Sequence, residues 1–154
     1  MRHSLLILVL LPILSFAQNS KLYLAADLSY STKNTKAGAI STGVIINGFL
    51  FGVGIGTQKS EYRSVVPKFV QAGYMKNKKP FVLARMGEAS IAGEAYIGGL
   101  YLDGKVGFPF QVRKVLRVAP FFSATHYKYR VHHEYSVAPL PNKTFGLGLL
   151  ISTM

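Results

Sequence analysis

The stretch from Ala39 to Thr57, AISTGVIINGFLFGVGIGT, constrains the fold more than any other part of the chain. Asn47-Gly48 divides it into two alternating runs. An Asn-Gly pair readily takes positive φ at both central positions of a type I′ turn, so the two runs should fold back through a two-residue loop. That turn sets the register. Ile46 pairs with Phe49, Val44 with Phe51, Thr42 with Val53, and Ile40 with Ile55. One face of the hairpin is therefore bulky and apolar. The other carries Ala39, Ser41, Gly43 and Ile45 opposite Leu50, Gly52, Gly54 and Gly56. A soluble sheet normally puts large apolar residues inside and polar ones outside. Here the second face is too small to cover a core and not polar enough to meet water.

A narrow barrel in lipid accounts for both faces. Bulky side chains meet the membrane and small ones meet a crowded lumen. Ile40, Val44, Ile46, Phe49, Phe51, Val53 and Ile55 are then expected to face lipid. The closing stretch repeats the pattern, with Phe145, Leu147, Leu149 and Ile151 outward and Gly146, Gly148 and Ser152 inward.

The chain has 154 residues, enough for one domain. It opens MRHSLLILVLLPILSFAQ. Arg2 and His3 form a basic start, Leu5 to Leu14 an apolar core, and Ser15-Phe16-Ala17 a small-residue cleavage pattern. The apolar core would rise only about 15 Å as a helix, half a hydrocarbon core. Residues 1–17 are expected to be a signal peptide and residues 18–154 the barrel domain. There is no cysteine, so neither a lipoprotein anchor nor a disulfide is available.

The formal net charge is +12. Such a balance can mark nucleic-acid binding, but no nucleic-acid motif accompanies it and the chain is expected to be exported. The cations avoid the centres of the apolar runs. They gather at Lys33 and Lys36, Lys59 to Arg63, Lys76 to Lys79, Arg113 and Lys114, and Lys128 to His133. These are strand ends, where basic groups are solvated and can meet lipid phosphates.

No segment after residue 18 is long and apolar enough for a spanning helix. Eight strands can be placed instead: about 21–32, 39–46, 49–57, 64–76, 81–90, 93–108, 114–131 and 144–153. Pro67 predicts a bulge or irregular start in the fourth. Turns are expected at Asn47-Gly48, Asn77 to Pro80 and Pro109 to Arg113, and longer connections at 33–37, 58–63, 90–93 and 132–143. Eight is the minimum for a closed transmembrane barrel, and closure removes edges that lipid could not satisfy. An even count puts both termini and the tight turns on the periplasmic side. Tyr30, Phe49, Tyr74, Phe108 and Phe145 are candidates for an aromatic girdle.

FLFGVGIGTQKSEY, KKPFVLARMG, GGLYLDGKVGFPF and the closing strand of alternating glycine and large apolar residues resemble the small outer-membrane β-barrel proteins of Gram-negative bacteria. The resemblance covers nearly the whole chain after the leader and speaks to architecture rather than activity. One departure is the closing Ile151-Ser152-Thr153-Met154, where many such barrels have a terminal aromatic.

Alternation points Asp27, Arg85, Asp103, Lys105 and Arg117 into the lumen. Isolated buried charges are very costly, so these should pair. Arg85 and Asp103 lie on neighbouring strands and form the natural pair. Arg117 could join from the other side, and Asp27 could reach across. Together they read as a structural plug, with an ion path as the functional alternative. An eight-stranded lumen is just wide enough to be filled by side chains, which argues against a wide pore.

No metal or cofactor site emerges. His132 and His133 point to opposite faces, and His126 and His132 are about 20 Å apart on an extended strand. Ser123, His126 and Glu134 are the residue types of a lipid-modifying enzyme, but Ser123 and His126 have opposite parity and diverge. There is no G-x-S-x-G elbow or P-loop. The expected protein is a non-enzymatic, monomeric, porin-like outer-membrane barrel with a filled lumen. Its partners would be outer-membrane lipid and other envelope or surface components. The alternatives are an exported soluble barrel holding a small hydrophobic ligand, and a lipid-modifying outer-membrane enzyme.

Overall fold

A computed structural model describes residues 20–32, 34–59, 64–76, 78–91, 98–129 and 143–153. The expected signal peptide lies outside these residues. So do most of the connections at 58–63, 90–93 and 132–143, with His132, His133 and Glu134.

The strands are β1 (Ser20–Ser31), β2 (Thr35–Ile46), β3 (Phe49–Lys59), β4 (Ser64–Tyr74), β5 (Phe81–Ile91), β6 (Gly98–Gly107), β7 (Phe110–Arg113), β8 (Leu116–Tyr129) and β9 (Lys143–Thr153). All pairings are antiparallel. The sheet runs β6-β5-β4-β3-β2-β1-β9-β8-β7, and a β6–β8 ladder closes it into a barrel of eight strands. Short β7 continues β6 past Pro109 along the same edge of β8 and in the same register. The stretch Pro109 to Arg113, read as a turn, is thus mostly a strand. The turn itself falls at Lys114-Val115, because Phe110 and Gln111 find partners in Val118 and Arg117.

The opening hairpin takes the expected register at every pair from Ile46–Phe49 to Ile40–Ile55. Asn47 and Gly48 have φ of 54° and 93°, both in the left-handed region that a type I′ turn needs. The Gly48 carbonyl accepts from the Met75 N–H at 2.7 Å, which ties this turn to the end of β4. Pro67 makes no bulge. The β3–β4 register is the same on both sides of it, and the ladder skips the pairs at Gly56 and Thr57. Proline has no N–H to donate, so a skipped rung costs less than a shifted strand.

The interior is layered. At the tight-turn end Tyr23, Ile45, Leu50, Met75, Phe81, Leu83, Phe121 and Leu150 form an apolar floor. Towards the loop end Val65, Phe69, Ala89, Tyr101 and Tyr127 form a second, aromatic layer. Inward rings stand opposite inward glycines on adjacent strands. Tyr23 faces Gly43, Phe69 faces Gly54 and Gly87, Phe81 faces Gly107, and Phe121 faces Gly107 and Gly148. A ring laid over a glycine restores the contacts the missing side chain would have made.

Candidate functional site

Between the two apolar layers lies a belt of buried polar groups. Alternation brings Tyr23 and Asp27 inward from β1, Gln71 from β4, Arg85 from β5, Asp103 and Lys105 from β6, and Thr125 from β8. Asp27, Arg85, Asp103 and Lys105 are at most 5% exposed.

The belt is organised on Asp27. Arg85 Nη2 donates to Asp27 Oδ2 at 2.5 Å, and Lys105 Nζ donates to Asp27 Oδ1. β1 and β5 lie on opposite sides of the ring, so the Asp27–Arg85 bond crosses the full lumen. Asp103 is the secondary anion. Its Oδ2 is 3.8 Å from Arg85 Nη1 and 3.6 Å from Lys105 Nζ, while its Oδ1 accepts from Thr125 Oγ1 at 2.9 Å. Arg85 Nε donates to Gln71 Oε1 at 2.9 Å, and Gln71 Nε2 donates to Tyr23 Oη. Each cation also caps a ring. Arg85 lies 4.5 Å from the Phe69 centroid and Lys105 lies 4.4 Å from that of Phe121.

Two sequence expectations change here. Arg85 and Asp103 are indeed direct partners across β5–β6, yet the guanidinium makes its close bond across the lumen to Asp27. The lumen is narrow enough for that reach, and Lys105 competes for Asp103. Arg117 does not join. It is half-buried beside Ser152 at the turn end of β8, whereas the residues facing Lys105 and Asp103 are Ser123 and Thr125. That offset along the strand is about 20 Å. Adjacency of strands was readable, but height on the wall was not.

Gln71 was missed altogether. Its signal was its place opposite Arg85 across β4–β5, hidden because Pro67 obscured the phase of β4. Gln58, which accepts from Tyr127 Oη above the belt, was also missed.

The belt leaves little room. A cavity of about 20 Å³ lies among Asp27, Gln58, Arg85, Tyr101, Asp103, Lys105 and Tyr127. That is about the space of one water. Gln58 Nε2 and Asp103 Oδ2, both buried without a hydrogen bond, border it. The charges balance within the belt and the apolar floor closes the end below.

Ser123 points into the lumen and donates to the Gly146 carbonyl at 3.4 Å. His126, three residues further along and of opposite parity, is half-buried on the outer face. The two do not converge.

The outer wall is the other surface of interest. Ile40, Phe49, Phe51, Val53, Ile55, Phe145, Leu147, Leu149 and Ile151 are all exposed, Leu147 by 70%. Val44 and Ile46 also point outward but are half covered. Leu22, Leu24, Leu28, Val70, Met86, Leu102, Val106 and Phe122 extend the apolar surface around the ring. At the turn end Phe49 packs edge-on to Tyr74 at 5.4 Å, and Phe108 lies 5.5 Å from Phe110. Tyr30 and Phe145 stand towards the loop end. The Tyr30 hydroxyl donates to Asn34 Oδ1 at 2.7 Å.

No protein-family model and no curated protein sequence matches the chain. Solved structures do. Neisserial surface protein A superposes with a TM-score of 0.65 at 16% identity, over 87% of this chain and 97% of that one. The N-terminal β-barrel domain of Pseudomonas aeruginosa OprF gives 0.55 at 11% identity, over 88% and 96%. A de novo designed transmembrane β-barrel gives 0.51 at 12% identity, over 87% and 95%. The closed antiparallel ring, the inward polar belt and these likenesses together assign the chain the fold of the small eight-stranded outer-membrane β-barrels.

Proposed function

We propose that the protein is a monomeric outer-membrane barrel, exported by the leader at residues 1–17, with a structural or surface-interaction role. One observation carries this reading: the wall is broadly apolar outside while a belt of four charged side chains is inside. A protein in water would expose Asp27, Arg85, Asp103 and Lys105 and bury Phe51, Val53, Leu147 and Leu149; this chain does the reverse. Such an arrangement is stable where the surroundings are hydrocarbon.

The filled lumen supports a closed barrel rather than a conduit. A soluble container for a hydrophobic ligand would need an apolar internal cavity, and the cavity inside this ring is small and lined mainly by polar groups. The divergence of Ser123 and His126 favours a role without catalysis. One structural neighbour is named a surface protein, in keeping with a part played at the cell surface. Lipid is the constant partner on this reading, with other envelope components as further ones.

Cell fractionation with heat-modifiable gel mobility tests the proposal. Recovery with the outer membrane, and a faster-running unheated band, are expected. Recovery in the soluble periplasm without detergent would overturn it. Lipid A unchanged in mass after incubation with the purified barrel is expected for a protein with no lipid-modifying activity.

A further inference from the structure

Lys36 and Lys59 are direct partners across β2–β3 at the loop end of the barrel. Their parity is that of Ile40 and Ile55, so both point outward, and both are exposed. Like charges directly opposite on one face of a sheet are destabilising. Among the described residues neither ammonium has an ion-pair partner, since the ion pairs found there all lie in the lumen. Lys68, the next outward cation, differs. It stands opposite Glu88 across β4–β5 and is balanced locally.

The wall below the lysine pair is hollowed. The next rung down is Gly38 opposite Thr57, and the one below that is Ile40 opposite Ile55. Ala26, Leu28, Gly38, Ile40, Ile55 and Thr57 line an open groove on the outside of the barrel. It exists because Ala26, Gly38 and Thr57 are small between larger neighbours. From Ile40 and Ile55 the apolar surface continues over Thr42, Val53 and Val70. A paired cationic head thus sits over an apolar channel running towards the middle of the wall.

We propose that Lys36 and Lys59 and the groove beneath them bind a lipid bearing a phosphate monoester. The phosphate bridges the two ammonium groups, and an acyl chain lies over Gly38, Ile40 and Ile55. A monoester carries up to two negative charges, which matches two lysines better than the single charge of a diester. The site rests on the membrane reading above, since only a membrane offers such a lipid at that height.

The test uses the folded barrel in phosphatidylcholine vesicles doped with phosphatidic acid or with phosphatidylglycerol. Lipid retained on the released barrel is scored by native mass spectrometry. Wild type should retain phosphatidic acid in preference to phosphatidylglycerol. The Lys36→Gln/Lys59→Gln pair should lose about tenfold in retention. Lys78→Gln/Lys79→Gln at the turn end should change nothing. Gly38→Leu, which fills the groove but keeps both lysines, should also lose retention once heat-modifiable mobility shows that it is folded. Equal retention by the Lys36/Lys59 variant, equal loss in the Lys78/Lys79 variant, or no preference for the monoester would overturn the site. Retention of inorganic phosphate as good as that of phosphatidic acid would remove the groove from it. A wild-type chain that does not insert into vesicles would instead overturn the membrane reading beneath.

Discussion

Gly54 and Phe69 face each other across β3 and β4, and the Phe69 ring occupies the space where a Gly54 side chain would begin. A Cβ built on Gly54 would stand 2.6 Å from both Cε2 and Cζ of that ring. The glycines of the opening hairpin therefore do more than thin the wall. They are seats for rings that fill the lumen.

Gly54→Leu should prevent folding, since neither the ring nor the β2 backbone behind it can give way. Gly54→Ala should fold with a loss of about 1–3 kcal/mol, the usual range for overpacking a close-packed interior. Ile55→Leu, one residue on and facing outward, should be nearly neutral. Urea unfolding in vesicles, followed by heat-modifiable mobility, checks the series. A mild Gly54→Leu would mean that this face is not packed.

Removing one partner of a buried ion cluster leaves uncompensated charge. Asp27→Ala should cost about 3–5 kcal/mol, because it removes the close partner of both Arg85 and Lys105 and leaves two buried cations to one carboxylate. Asp103→Ala should cost less, since its contacts to those cations are the longer ones at 3.6 and 3.8 Å. Asp27→Ala combined with Lys105→Ala should recover part of the loss. Equal effects of the two aspartate variants would contradict the central place of Asp27.

Arg117→Gln should change stability by no more than about 0.5 kcal/mol, as for a surface substitution away from special features. Arg85→Gln in the same assay should be strongly destabilising. A large effect at position 117 would show that it engages the belt after all.

Val53→Arg places a cation at mid-height on the outer wall of β3. In a bilayer it should cost about 2–4 kcal/mol, while Lys59→Arg at the strand end should cost close to nothing. A Val53→Arg barrel as stable as wild type in vesicles would argue that the wall does not face hydrocarbon.

Planar bilayer recordings of the wild-type barrel should show no sustained open-channel current, given an internal cavity of about 20 Å³. Steady current steps in most insertions would rule out a filled lumen.

Much of this was legible in the residues, and the reason is local. Asn47-Gly48 sets one register, and strict alternation then sends each side chain in or out, so Asp27, Arg85, Asp103 and Lys105 could be placed inside. What could not be read depends on dimensions that strand order does not state. The reach of Arg85 to Asp27 needs the diameter of the ring, and the exclusion of Arg117 needs its height on the wall. The strand at Phe110 was hidden for another reason. Pro109 and the basic Arg113-Lys114 look like a turn, and only the overhanging end of β8 turns that segment into a pairing partner. Gln71 was hidden by Pro67, whose missing rung leaves the register intact.

The bond from Asp27 to Arg85 also bears on the order in which the barrel can be made. Asp27 comes with the first strand and Arg85 with the fifth, and in an open sheet they lie half a sheet-width apart. They meet only when the first and last strands zip together. Until then Asp27, flanked by Ala39 and Leu150 on its neighbouring strands, has no cation beside it, which hydrocarbon does not tolerate. Neutralisation of Asp27 and closure of the ring are thus one event, and a half-closed sheet has no stable place inside the bilayer.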